Sequence, residues 1–314
     1  MTPFSPSRTT ALEKALFLLA GLILACAGKP PVPSTTGENR PMTATSRNVD
    51  TPSPQRPNPL LQPFDTPFRV PPFDRIADTD YLPALTAAMA EHAAEVDRIA
   101  GNPDPPTFAN TVAALDFAGL LLTRVSLVFF AKQSADTNEA VQAIAREAAP
   151  LLSAHTDRIR MNPLLFARVN ALWDARSTLS LTDDEQRLLE LTRRDFVRGG
   201  ALLDDHQKQR LMAINERLAV LDVQFADRLL AENNAFALHI NNEDELSGLP
   251  APIIAAAREA AAAKGESGWR FTLHKPSYTP FMQYADHRGH RETLFNAYAG
   301  RGSRGDNNDN RSGL

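Results

Sequence analysis

The sequence predicts a mainly α protein: a multi-helix body with one small two-stranded β element near 236–240 and 269–274. Three observations predict it. Apolar residues recur at three- and four-residue steps through most of the stretch from Asp80 to Asn233, the spacing that gathers them on one face of a helix. Start and stop signals cut that stretch into helices of ordinary length. The period shortens to two in only two brief runs, both after residue 235.

The first helix begins near Asp80, where Leu82, Leu85, Met89, Val96 and Ile99 share a stripe with His92. Pro83 is tolerated in the first turn, and Gly101-Asn102-Pro103 ends the helix. His92 reads as a partly buried packing residue. A second helix takes Thr107 or Asn110 as its cap and runs to about Ser134. Its middle, Phe117 to Phe130, is apolar nearly all round, which predicts a central place in a bundle. Those fourteen residues include Arg124, and a bilayer span needs about 20 apolar ones, so the run does not read as a membrane span. Asn138 opens a third helix, with Val141, Ile144, Leu151 and Leu152 on one face and a kink expected at Pro150.

Pro163 marks the next helix start, followed by Leu164, Leu165, Val169, Leu172 and Trp173. Thr182 to Glu185 (T-D-D-E) is a capping box opening a helix to about Arg198, where Gly199-Gly200 stops it. Asp204 or Asp205 then caps a long helix reaching about Asn233, in which Leu211, Ile214, Leu218, Leu221, Phe225 and Leu229 keep step over five turns or more.

Beyond it Phe236, Leu238 and Ile240 alternate, and so do Trp269, Phe271 and Leu273 against Arg270, Thr272 and His274. Between them Pro250 to Lys264 is an Ala-rich helix closed by Gly265, so two short strands are expected to pair around a helical insert. The stretch from Trp269 to Asn310 reads as a short strand, a Pro-punctuated turn, two short helices and a polar loop. No repeat of fixed period is present, which disfavours a solenoid.

Net charge is −4 with a pI near 6.0, so no global basic field favours nucleic acid. The one cysteine, Cys26, excludes an intrachain disulfide and a thiolate metal cluster. Arg8 and Lys14 precede an eleven-residue apolar run, Ala15 to Ala25, too short to span a bilayer and suited to the h-region of a secretory signal. Ile23-Leu24-Ala25-Cys26 resembles a bacterial lipobox, in which cleavage leaves a lipidated N-terminal cysteine. Ala27 follows, which by the sorting pattern of such lipoproteins implies the outer membrane, facing the periplasm. The expected organisation is a lipoprotein signal at 1–26 with lipidation at Cys26, a Pro-rich tether and extended arm at 27–74, a helical lobe at 75–310 and a short end at 311–314.

A search for chemistry finds little. No H-E-x-x-H and no Cys/His ligand set is present. His287 and His290, in Asp286-His287-Arg288-Gly289-His290, are three apart, but Gly289 weakens the helix and Arg288 and Arg291 would repel a cation; they read as a solvated helix start. The run Asp306-Asn307-Asn308-Asp309-Asn310 lacks the glycine and glutamate spacing of a calcium loop. No G-x-S-x-G elbow and no Walker loop appear. Asp183, Asp184 and Glu185 read as helix-start charges favoured by the dipole. From the residues alone, no catalytic and no metal-binding residue is assigned; the chain reads as a tethered helical envelope domain.

The longer blocks carry more. NPLLQPFDTPFRVPPFDRI, PPTFANTVAALDFAGLLLTRVSLVFF, LLSAHTDRIRMNPLLFARV, LLELTRRDFVRGGALL, LLAENNAFALHI and LHKPSYTPFMQYADHRGHRETLFNAYAGRG, in that order from Asn58 to Asn310, resemble the N-terminal half of a bacterial peptidyl-dipeptidase of the thimet oligopeptidase family of zinc metallopeptidases. The resemblance implies one lobe of a two-lobed, mostly helical peptidase whose channel admits short peptides and releases dipeptides from their C-termini. Zinc in such an enzyme is held by two histidines of H-E-x-x-H and a downstream glutamate, all in the other lobe. None of those residues maps onto this chain, which ends at Leu314 where the family continues. The resemblance therefore implies a fragment, a frameshifted product or an incomplete gene model that binds no zinc and is inactive alone. The alternative is a non-catalytic helical envelope lipoprotein that binds peptides or a partner protein.

Overall fold

The computed structural model describes residues 56–311, so the signal run, Cys26, most of the tether and the last three residues lie outside the described residues. Within them the chain forms two compact units, one from Pro59 to Ala231 and again from Gly302, the other from Glu232 to Arg301.

The first unit starts with a 3-10 turn, Pro59–Leu61, that buries Leu60 completely. Helix α1 (Tyr81–Ala100) turns Tyr81, Ala84, Leu85, Ala88 and Val96 inward. Of the expected stripe, Leu82 and Met89 pack at its edge. Thr107 is the next cap: its hydroxyl accepts from the Asn110 N–H at 3.1 Å while Asn110 Oδ1 accepts from the Thr107 N–H at 2.8 Å.

The helix expected to run unbroken from there does not. A π-helical turn, Phe108–Ala113, continues to Asp116, and the chain then breaks at Gly119, whose φ of +72° is a left-handed conformation that glycine adopts without a Cβ penalty. Helix α2 restarts at Leu120 and ends at Ala135. Leu122, Val125, Val128 and Phe129 face inward, but Phe117, Leu120 and Leu127 are exposed, so α2 packs on one side and is not central all round. By length and composition Phe108–Ala135 could cross a membrane. The break at Gly119, the burial of its inner face and an Arg124 guanidinium that donates to the Leu60 carbonyl at 3.0 Å mark it as a core helix.

Helix α3 (Glu139–Arg160) begins where Asn138 Oδ1 accepts from the Val141 N–H, and it continues through Pro150. Val141, Ala145 and Ala148 are buried, with Ile144 and Leu152 beside them. Leu151, expected on that face, is exposed, because neighbours in sequence lie about 100° apart around a helix and only one of them can point to the core. The same holds in α4 (Pro163–Asp174), where Leu165, Val169 and Leu172 are buried and Leu164 is exposed. Asn162 caps α4 by accepting from two backbone N–H groups. The T-D-D-E box opens α5 (Asp183–Arg198), whose Leu189 and Phe196 join Val96, Val112, Leu165 and Leu172 in a second core cluster of this unit.

The long helix α6 (Asp205–Ala235) departs most from expectation. From Asp205 to Ala231 its buried residue is Val223. Leu218 is 52% exposed, Ile214 45% and Phe225 39%, although their spacing is that of a stripe that normally packs inward. Polar pins decide which side faces the unit: Asn215 Nδ2 donates to Asp157 at 2.8 Å, and the Arg146 guanidinium meets Asp227 at 2.6 Å, both partners being on α3. Val223 lies about 140° around the helix from Leu218, so seating Val223 against the core turns Leu218 away from it, while Leu211, in the same stripe, lies against Gly200 of the unit.

The second unit pairs β1 (Leu238–Ile240) with β2 (Trp269–Phe271), antiparallel, with Leu238 opposite Phe271 and Ile240 opposite Trp269. Helix α7 (Ala251–Ala262) joins them, as the helical insert predicted. Phe236 and Leu273 lie outside the ladder, so the strands are shorter than their alternation. Helices α8 (Lys275–Tyr284) and α9 (Arg288–Ala299) complete the unit around Ile240, Phe271, Phe281 and Leu294.

Candidate functional site

The histidine pair that the sequence marked as a possible ligand set does come together. His287 is the N-cap of α9, its Nδ1 accepting from the His290 N–H at 3.1 Å, and the two rings stack with centroids 3.9 Å apart. A third member, which sequence reasoning missed, arrives from the 3-10 turn Glu243–Leu246: Glu245 Oε2 lies 2.6 Å from His290 Nε2. Next to it the Ser247 hydroxyl donates to Asp286 at 2.7 Å, and the Asp286 N–H donates to the Ser247 carbonyl at 2.9 Å. Glu245 stands 45 residues from His290, with no local signal tying the two together.

Each group in this cluster has at least one atom engaged. His287 Nδ1 is spent on the helix end, His290 Nε2 on Glu245, and Asp286 on Ser247. The arrangement clasps the turn around Glu245 and Ser247 to the start of α9. It pairs a carboxylate with an imidazole, but the nearby Ser247 hydroxyl donates to Asp286 and not to the His290 ring.

A second imidazole pair lies in the first unit. His92 Nδ1 and His155 Nε2 are 3.0 Å apart, joining α1 to α3. Burial pushes the His92 ring below its ordinary value, with the nearby Glu95 carboxylate opposing. Burial, then His92 and Arg158, push His155 down to about 4. Glu95 in turn accepts from the Gly119 N–H at 2.6 Å. These rings are neutral at pH 7 and bonded to each other, which is a packing role. His155 carries no sequence signal that names His92 as its partner.

The polar loop after Gly302 is held from within. Asp309 accepts from the Gly305 N–H and from the Arg311 guanidinium, which holds its carboxyl well below the usual carboxylate range. Arg228 of α6 donates to the Asp309 carbonyl at 2.9 Å. The carboxylates face cations of the protein itself rather than a shared centre.

A zinc ion is the cofactor the resemblance implies. Among the described residues no three His, Cys, Asp or Glu side chains are grouped so as to hold a metal ion. The described residues therefore do not fit a zinc site of the two-histidine, one-carboxylate kind. Cys26 lies outside the described residues.

Comparison with known proteins gives the context. No family model matches the chain. It is 38% identical over 256 residues to a dipeptidyl carboxypeptidase of Salmonella typhimurium, and equally so to one of Escherichia coli; each match covers 81% of this chain and 38% of the relative. It is 31% identical over 250 residues to oligopeptidase A of Escherichia coli, 78% of this chain and 36% of that protein. The chain thus spans well under half the length of these relatives.

Proposed function

The chain belongs to the thimet oligopeptidase family, with the dipeptidyl carboxypeptidases and oligopeptidase A, and from that premise we propose that it is the N-terminal, supporting lobe of a zinc peptidyl-dipeptidase and cleaves no peptide by itself. One observation carries this reading. Likeness covers 81% of this chain yet 38% of the relative, while no metal-holding group of three side chains exists among the described residues. A chain so related, without the ligands, supplies scaffold to the chemistry and not the chemistry.

In the whole protein the substrate class is short peptides, from whose C-termini dipeptides are released. The test is direct. The purified chain, incubated with peptides of four to twelve residues with and without added zinc, releases no dipeptide. Stoichiometric zinc in the protein together with chelator-sensitive cleavage would overturn the reading.

The same proposal places the chain in a bacterial envelope, anchored by lipid on Cys26 in the outer membrane. What supports it is the position of the one cysteine directly behind an eleven-residue apolar run. Expressed in a Gram-negative host, the chain partitions with outer membranes and Cys26→Ala releases it; equal membrane association of both forms refutes the anchor.

A further inference from the structure

The second unit stacks two of the chain's four tyrosines on each other. Tyr278 of α8 and Tyr298 of α9 have ring centroids 4.2 Å apart and planes 17° from parallel. Aromatic pairs usually sit about 4.5–7 Å apart, so this pair is close, with carbons of the two rings in van der Waals contact. Arg301 holds the Tyr298 side of the pair in place. Its guanidinium lies 3.6 Å from the centre of the Tyr298 ring, its Nε donates to the Tyr298 carbonyl at 2.9 Å, and a terminal nitrogen donates to Asn233 at 2.7 Å. Both rings are half-buried at the edge of the core around Phe281 and Leu294, so packing fixes them while part of each still meets water. The other two tyrosines are placed differently: Tyr81 is buried against Phe129, and Tyr284 is 48% exposed.

We propose that Tyr278 and Tyr298 are a site of oxidative cross-linking, at which a one-electron oxidant of the haem-peroxidase class, fed with hydrogen peroxide, joins the two rings and ties α8 to α9. Each phenol gives up one electron and its hydroxyl proton and becomes a phenoxyl radical. The two radicals pair their electrons in one carbon–carbon bond between ring positions next to the hydroxyls. A ring hydrogen then moves to each oxygen, which restores both phenols. Net, two ring C–H bonds and the O–O bond of one hydrogen peroxide break, one C–C bond forms, and the two hydrogens leave with the peroxide as two waters. Burial and the neighbouring Tyr298 hold the Tyr278 phenol above its ordinary value, so at neutral pH it reacts as the phenol and gives up its proton with its electron. Rings already in contact meet at a far higher effective concentration than tyrosines of two separate chains, which selects this pair. A bond between two helices also closes the loop that joins them, as a disulfide would, and with one cysteine the chain has no disulfide of its own to do so. The site rests on this geometry alone and not on the supporting-lobe reading.

The test treats the purified chain with peroxidase and hydrogen peroxide at two protein concentrations about tenfold apart, and follows dityrosine by fluorescence and by mass. The monomer should lose the mass of two hydrogens, in a yield that does not change with protein concentration. Trypsin cuts after Arg288 and Arg291 and so parts the two tyrosines; the cross-link should appear as residues 271–288 joined to residues 292–301. Residues 271–288 also hold Tyr284, so fragment ions and variants together assign the partner. Tyr284→Phe should keep the intramolecular product, while Tyr278→Phe and Tyr298→Phe should each lower it about tenfold or more. Phenylalanine keeps the stacked ring, and circular dichroism checks that each variant is folded. Dityrosine that forms only between chains, or an intramolecular product that Tyr284→Phe abolishes, overturns the proposal. So does a monomer that forms none while a free tyrosine peptide in the same tube couples.

Discussion

His155 Nε2 stands 3.0 Å from His92 Nδ1, so one ring donates its N–H and the other accepts, and α1 is tied to α3 by two neutral imidazoles. Two protonated rings would set N–H against N–H in a partly buried place. The groups that face the pair are Glu95, beside His92, and Arg158, beside His155. Both folded-state values lie below the ordinary 6.5, His155 at about 4. A histidine held low binds protons better when unfolded, so its contribution is complete above pH 6.5 and is lost as the pH falls towards 4. Thermal melts from pH 7 to pH 4 should show the melting temperature of the wild type falling across that window. His155→Gln, which cannot titrate, should show a shallower fall, and parallel curves would remove the pair from the account.

The clasp in the second unit depends on Gly248. Its φ is +85°, and a Cβ there would sit 2.2 Å from the Tyr284 carbonyl oxygen, an atom of the main chain that cannot swing aside. Gly119 is also left-handed, but a Cβ there would meet the His92 ring at 2.9 Å, a side chain with some freedom to give. Gly119→Ala should cost about 2 kcal/mol, chiefly the left-handed backbone. Gly248→Ala should cost about 3 kcal/mol or more, since strain and overlap add. Urea melts followed separately for each unit by local fluorophores give both numbers, and a milder effect at 248 than at 119 would contradict the clasp.

Thr182 tests a feature that the sequence states outright. Its hydroxyl accepts from the Glu185 N–H at 3.3 Å and Glu185 Oε2 accepts from the Thr182 N–H at 2.9 Å. Thr182→Ala removes half the box and should lower stability by about 1 kcal/mol, and Glu185→Gln, which keeps the acceptor, by clearly less. Denaturant midpoints of the two variants check the order.

These cases show which parts of the fold were legible. Caps at Thr107, Asn138 and Thr182 involve residues three apart, so the signal and its partner sit in one short window. The pairing of Leu238–Ile240 with Trp269–Phe271 was legible because a change of period marks each strand. The break at Gly119 was not, since an isolated glycine in an apolar run is tolerated in many helices. Periodicity locates a stripe on α6 but does not say which side of a helix a protein uses. That choice is made by Asp157, Arg146 and Val223 across long sequence distances. Glu245 beside His290, and His155 beside His92, are long-range contacts of the same kind.

The inverted helix makes a paired prediction about stability. Val223 is 3% exposed and packs with Leu85, Val125 and Phe129 in the first core cluster, while Leu218, a larger side chain, is 52% exposed. Judged by the apolar stripe alone, truncating Leu218 should hurt most. Judged by burial, the order reverses. Val223→Ala removes two buried methyl groups and leaves a gap, a loss of about 2 kcal/mol. Leu218→Ala removes atoms that already touch water for half their surface, and alanine favours the helix, so the change should stay within about 0.5 kcal/mol. Chemical denaturation of the chain by itself decides between the two orders. If Leu218→Ala proves the costlier change, Leu218 is covered within this chain in solution, and α6 must sit rotated from the position that Val223 and Asp227 give it.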